Sequence, residues 1–197
     1  MKVDLTLKLF FTIYNKEAKK QIKDKDVLKN IKNEYISIMK RASDIGNGNK
    51  LISSYAMAAY FIALNRKDGL TTDRNYEILK EDLLESKLLK IALGDAKTYL
   101  SEKKMVGRRK WAKESLKKKY KNDWVLNIVE KDDKYVFGID YLECGVCKLC
   151  RDENCFELAK YLCKLDFMLA DLIGVKLHRT KTLAEGGNCC DFRYTKE

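Results

Sequence analysis

The chain has 197 residues, of which 35% are charged; it has no proline and a net charge of +11. This composition excludes a loop-rich or disordered protein and suits a single domain, 1–197, built largely of helices with solvated outer faces. No apolar run approaches the ~20 residues of a membrane span. The apolar start (Leu5, Leu7, Leu9, Phe10, Phe11) is interrupted by Asp4 and Lys8 and is followed by no small-residue cleavage site, so a cytoplasmic protein with no membrane partner is expected.

From about Lys16 to Asp44 the composition is helical, and Val27, Ile31, Tyr35, Ile38 and Met39 recur every three or four residues along one face. Gly46, Asn47, Gly48 and Asn49 are expected to stop that helix. A second helix over Leu51–Arg66 is nearly apolar all round and therefore belongs inside the bundle. Gly69 ends it, and Thr71 or Thr72 can cap a third helix that carries Tyr76, Ile78, Leu79, Leu83 and Leu84. A further helical stretch covers roughly Lys87 to Lys119.

At Trp124 the period changes to two: Trp124, Leu126 and Ile128 alternate along one strand, and Tyr135, Phe137, Ile139 and Tyr141 along the next, with a turn at Lys131–Asp133. A helix from about Asn154 to Ile173 ends at Gly174, and strands follow near Val175–Lys181 and Cys189–Tyr194. The fold class is α+β: an N-terminal helical bundle (1–121), then a small antiparallel sheet with one inserted helix (122–197) that carries all the cysteines.

Charge divides along the same line. Residues 1–120 hold 28 Lys/Arg against 15 Asp/Glu, a net of +13, whereas 121–197 have a net of −2. Ten basic residues fall within Lys103–Lys121, with Trp111 and Tyr120 among them. That pattern fits either a nucleic-acid binder or a solvated helix in a lysine-rich chain, and lysine is abundant elsewhere too. The solvated helix is the expectation, with no nucleic-acid partner.

All seven cysteines lie between Cys144 and Cys190. Without an export signal, reduced thiols, a metal site or catalysis fit better than a disulfide framework. Cys144, Cys147 and Cys150 form C-x2-C-x2-C and Cys155 follows, a spacing that can hold zinc or an iron–sulfur cluster. Inert thiols at a strand end are the other reading; a strand continuing through this segment would point Cys144 and Cys147 to opposite faces. No cofactor is otherwise implied. The lone histidine, His178, is expected to be a solvated strand residue.

Asp166 falls inside the apolar stripe of the Asn154–Ile173 helix, with Leu162, Cys163, Leu169 and Ala170 three or four residues away. A carboxylate there is buried and needs a partner, for which Arg179 or Arg193 is available. It reads equally as half of a structural ion pair and as an acid or base with Cys163 one turn away. On the last strand Cys190, Phe192 and Tyr194 share one face, and Cys189, Asp191 and Arg193 the other.

These residues carry a resemblance. ECGVCKLC (143–150), LCKLD (162–166) and VKLHRTKTLAEGGNCCDFRY (175–194) are similar to the L-2-amino-thiazoline-4-carboxylic acid hydrolase family, with weaker agreement at Asp123-Trp124 and along the Ala58–Leu64 helix. The resemblance implies ring-opening hydrolysis of a small cyclic C–N/C–S compound bearing a carboxylate, giving N-carbamoyl-L-cysteine. It maps the family's recurring positions onto Cys144, Cys163, Asp166, Arg179, Thr182, Glu185, Gly186, Cys190, Asp191 and Arg193. On this reading Asp166 or Asp191 activates water, or Cys163 or Cys190 attacks directly. Arg179 or Arg193 holds the carboxylate, with Thr182, Glu185 and Gly186 beside it. Cys147, Cys150 and Cys155 are less typical of the enzyme and leave open a non-catalytic sensor that binds a metal or small ligand through its cysteines.

Overall fold

The computed structural model describes residues 3–42 and 51–196. Eight helices come first among the described residues: α1 (Val3–Tyr14), α2 (Lys16–Gln21), α3 (Lys25–Arg41), α4 (Ile52–Lys67), α5 (Thr72–Glu85), α6 (Lys87–Leu93), α7 (Ala96–Tyr99) and α8 (Glu102–Ser115). Strands β1 (Val125–Val129) and β2 (Phe137–Glu143) follow, then helices α9 (Gly145–Asp152) and α10 (Ala159–Ile173), then β3 (Val175–His178) and β4 (Cys190–Lys196).

The apolar α4 is the axis of the bundle. Every residue from Tyr55 to Leu64 is buried, and α1, α3, α5 and α9 pack around it. Phe11 of α1 meets Tyr35 of α3 and Tyr60 of α4 at ring separations of 5.4 and 5.7 Å. The N-terminal segment is thus a core helix, with Leu7, Phe11 and Tyr14 turned inward at helical spacing.

Two long stretches of helical composition are broken where a side chain can cap a new start. The 16–44 stretch divides at Asp24, whose carboxylate accepts from the amides of Asp26 (2.8 Å) and Val27 (3.3 Å) and starts α3. Asp82 of α5 accepts from the Glu17 amide at 2.7 Å and holds the start of the separate α2. The expected glycine–asparagine stop at 46–49 lies outside the described residues. The 87–119 stretch divides twice: Gly94, at φ +75°, closes α6, and Asp95 and Ser101 cap α7 and α8. Of the two threonines that could cap α5, Thr71 does so, accepting from Arg74 N.

The sheet is antiparallel in the order β1-β2-β4-β3. Phe137, Ile139 and Tyr141 stand opposite Tyr194, Phe192 and Cys190, so one face is aromatic and buried. The α+β class holds, with one addition. Between β2 and β3 the chain inserts α9 as well as the expected α10, so the C-x2-C-x2-C segment is helical and does not continue β2. Spacing of three puts Cys147 and Cys150 on one inward face with Val146 and Leu149. Gly145 allows this approach: a Cβ there would lie 2.7 Å from the Trp124 ring.

Candidate active site

Asp166 projects from α10, and Arg179 follows the end of β3. Arg179 Nη1 donates to Asp166 Oδ2 at 2.6 Å, and Nη2 donates to the Cys163 carbonyl at 3.0 Å. The guanidinium also lies over the rings of Phe167 (4.8 Å) and Phe192 (5.2 Å). Of the two candidate partners it is therefore Arg179 that pairs with Asp166, and with 6% of its side chain exposed it is fully engaged. About a third of the Asp166 side chain (34%) is accessible, and it lines a cavity of about 560 Å3. Burial pushes its pKa up to about 6, against the opposing charge and hydrogen bond of Arg179.

Three tyrosines from different elements share the Asp166 end of this cavity: Tyr99 of α7, Tyr141 of β2 and Tyr194 of β4. Tyr99 and Tyr194 rings lie 5.3 Å apart, edge to face. Burial holds all three phenols above their ordinary value, so at neutral pH they are O–H donors. Arg108 of α8 lies 4.3 Å over Tyr99 and 4.4 Å over Phe137 and donates to the Tyr99 carbonyl at 2.8 Å. This arginine was legible only as one charge in a basic run, because the run's periodicity says nothing about which member turns inward. Other charges of that run are paired at the surface: Arg109 with Glu102 and Glu130, Lys118 with Glu143.

The thiols around this centre differ in kind. Cys163 and Cys190 lie within electrostatic reach of Asp166 and of each other, and burial raises both, Cys190 to about 11 although the Leu183 amide donates to its sulfur at 3.2 Å. Cys144 behaves oppositely. It occupies the position just before α9, where the Cys147 thiol and the amides of Cys147 and Val146 lower its pKa against burial, through proximity and not a closed capping bond. Cys147 itself is raised by Cys144 and by burial. Cys150 and Cys155 make a second pair, in which Cys150 is raised and Cys155 lowered, each chiefly by the other's thiol. The four cysteines thus fall two by two, and among the described residues no three His, Cys, Asp or Glu side chains converge as metal ligands.

The remaining sequence candidates sit elsewhere. Asp191 faces the opposite side of the sheet and accepts from Thr180 N (3.0 Å), Thr180 Oγ1 (2.6 Å) and Lys181 N (2.8 Å). Burial would raise it, but those hydrogen bonds outweigh burial and lower it, leaving a carboxylate that fastens the β3–β4 connection. Arg193 pairs with Asp140 at 2.7 Å on the same outer face, beside Tyr135. Thr182 and Glu185 bond reciprocally: the Glu185 amide donates to Thr182 Oγ1 (3.1 Å) and Thr182 Oγ1 donates to Glu185 Oε2 (2.7 Å). Gly186, at φ +86°, turns the chain after them. These three build the loop that carries Arg179 to Asp166. His178 is exposed, within 3.1 Å of Thr195 Oγ1.

An α+β fold thus brings a raised carboxylate and three tyrosines to one cavity, with the Cys163 and Cys190 thiols within electrostatic reach of the carboxylate. The family model described as L-2-amino-thiazoline-4-carboxylic acid hydrolase matches residues 49–194, and the chain belongs to that family. No curated protein and no solved structure matched. The matched span holds Asp166, Arg179, the three tyrosines and all seven cysteines, whereas α1–α3 precede it. No described helix is long and apolar enough to cross a membrane.

Proposed function

We propose that the chain opens the ring of a small 2-amino-thiazoline, with L-2-amino-thiazoline-4-carboxylate giving N-carbamoyl-L-cysteine as the reference reaction. The observation that carries this is Asp166, a carboxyl with a pKa of about 6 at the wall of a cavity of about 560 Å3. Arg179 takes Oδ2, and Oδ1 is the oxygen available to a bound molecule. At neutral pH the carboxylate is ionised and basic enough to take a proton from water. The oxygen then bonds to the ring carbon between nitrogen and sulfur. As the carbon–sulfur bond breaks, the proton held by Asp166 passes to the leaving sulfur, the proton left on the added oxygen passes to the ring nitrogen as the carbonyl forms, and a urea and a thiol result. One water is consumed and nothing is oxidised. A tyrosine O–H can donate to the ring nitrogen or to the forming oxyanion.

Direct attack by Cys163 or Cys190 is less well supported, because both thiols are raised and stay protonated. The non-catalytic metal-sensor reading is weaker too, since the cysteines pair two by two. The test is to incubate reduced protein with the reference substrate, with and without a chelator, and to follow N-carbamoyl-cysteine. Turnover is expected, with a loss of roughly 10²–10⁴ in Asp166→Asn and little loss in Cys163→Ala. Folded protein without turnover, or an Asp166→Asn variant as active as the parent, would overturn the proposal.

A further inference from the structure

The cavity is too large and too apolar for the reference substrate alone. At about 560 Å3 it falls in the ~300–1,000 Å3 range that encloses ligands of drug size, whereas the reference molecule is one five-membered ring with two small substituents. Away from Asp166 its wall is aliphatic and aromatic apart from Ser53 and Ser54, with Leu9, Phe10 and Ile13 from α1 and Leu88, Leu89 and Leu93 from α6. Leu9 is 50% and Leu88 57% exposed, so this far end opens to solvent between two helices. The α1 side of the wall also lies ahead of the residues that match the family, 49–194.

The charges agree with the shape. Among the described lining residues Asp166 is the only charged one. Two neighbouring arginines are engaged elsewhere, Arg179 on Asp166 and Cys163 and Arg193 on Asp140 across the sheet, while Arg108 lies behind the Tyr99 ring with Nη1 on the Tyr99 carbonyl. A substrate carboxylate at the Asp166 end would lie beside another acid whose cation, Arg179, is already taken, which is costly. An N–H edge would instead meet an acceptor and three hydroxyls.

We infer that the preferred substrate is a 2-amino-thiazoline or like cyclic isothiourea with an apolar substituent in place of the carboxylate, its N–H edge at Asp166 and its substituent running between α1 and α6. This rests on the ring-opening reading and deepens it. The experiment uses 2-amino-thiazolines carrying methyl, butyl or hexyl at carbon 4, beside the 4-carboxylate. Binding is measured by calorimetry on reduced protein, and turnover separately by thiol release.

Affinity is expected to tighten roughly fourfold per added methylene, and the hexyl compound to exceed the carboxylate by at least about a hundredfold. Ala170→Phe, which fills the cavity, is expected to abolish the gain with chain length. Leu88→Glu, at the exposed rim, is the second variant should the first not fold, and is expected to flatten the series by roughly tenfold. Asp166→Asn is expected to weaken all members alike. A flat series, or a carboxylate bound more tightly than the hexyl compound, overturns the inference. Chain-length-dependent binding without turnover would uphold the ligand class and remove the hydrolase reading. Turnover of the carboxylate with a flat series would do the reverse.

Discussion

Replacing Arg179 by methionine removes the one charge that opposes burial at Asp166 while keeping an apolar body between Phe167 and Phe192. With Arg179 present, the carboxyl sits at about 6 and is over nine-tenths ionised at pH 7.5. Without a partner, fully buried carboxyls reach roughly 8–9, and Asp166, about a third accessible, should rise by less, roughly one to two units. At pH 7 the ionised fraction would then fall to roughly one part in two to one in ten, since each pKa unit is a factor of ten. If Asp166 is the base, kcat/KM of the variant at pH 7 should drop by about the same factor and recover as the pH is raised toward 9–10. The assay is a full pH–rate profile of parent and variant. In the parent the acid limb should bend near pH 6, and in Arg179→Met it should move up by roughly one to two units. A variant that is slower at every pH with its bend still near 6 would mean that Arg179 merely supports the fold and that Asp166 is not the titrating base.

Two further outcomes follow from groups outside that pair. Asp82 is buried, its Oδ2 has no hydrogen-bond partner, and burial lifts its pKa from 3.8 to about 6 despite the Glu17 amide. Its contribution to stability is therefore present below about pH 4 and lost as the pH rises through 6. In urea unfolding the parent should lose on the order of 3 kcal/mol relative to Asp82→Asn between pH 4 and 7, and a difference that does not vary with pH would refute this. Cys144 is half-buried with a lowered pKa, whereas Cys163 and Cys190 are raised. Iodoacetamide at pH 7.5, with mass mapping of the products, should label Cys144 at least ~10-fold faster than either, and equal labelling would contradict the assignment.

How much of this was legible in the sequence depended on whether the deciding interaction was local. The α4 helix, the Thr71 cap, the Gly174 stop and the two faces of β4 follow from periodicity and from single-residue conformational preferences, and all are found. Asp166 stood out as a charge in an apolar stripe, and its need for a partner narrowed the choice to two arginines. Choosing between them required the sheet register: His178 pairs with Arg193, which turns Arg193 outward toward Asp140 and leaves Arg179 to enter beyond the strand end. The breaks at Asp24, Gly94 and Ser101 went unread because lysine-rich helical composition runs straight across them. The helical α9 went unread because cysteine at every third position suits a metal loop as readily as the inner face of a helix. Thr182, Glu185 and Gly186 were singled out only by the family pattern; Thr182 and Glu185 bond to each other and Gly186 turns the chain after them, a local geometry that composition does not announce.

The strand order β1-β2-β4-β3 also bears on how the molecule is made. Strand β4 is synthesised after β3 but lies between it and β2, so the inner edge of β2 has no neighbour until residues 190–196 have emerged. Until then an aromatic two-stranded ribbon presents an open edge that can pair with another chain. The pairing that closes it joins segments about fifty residues apart, Ile139 with Phe192, and such long-range closure is slow. The nascent chain is therefore most exposed to aggregation just before the sheet is completed. Slowing synthesis between α10 and β4 should cost more folded protein than slowing it anywhere in the helical half.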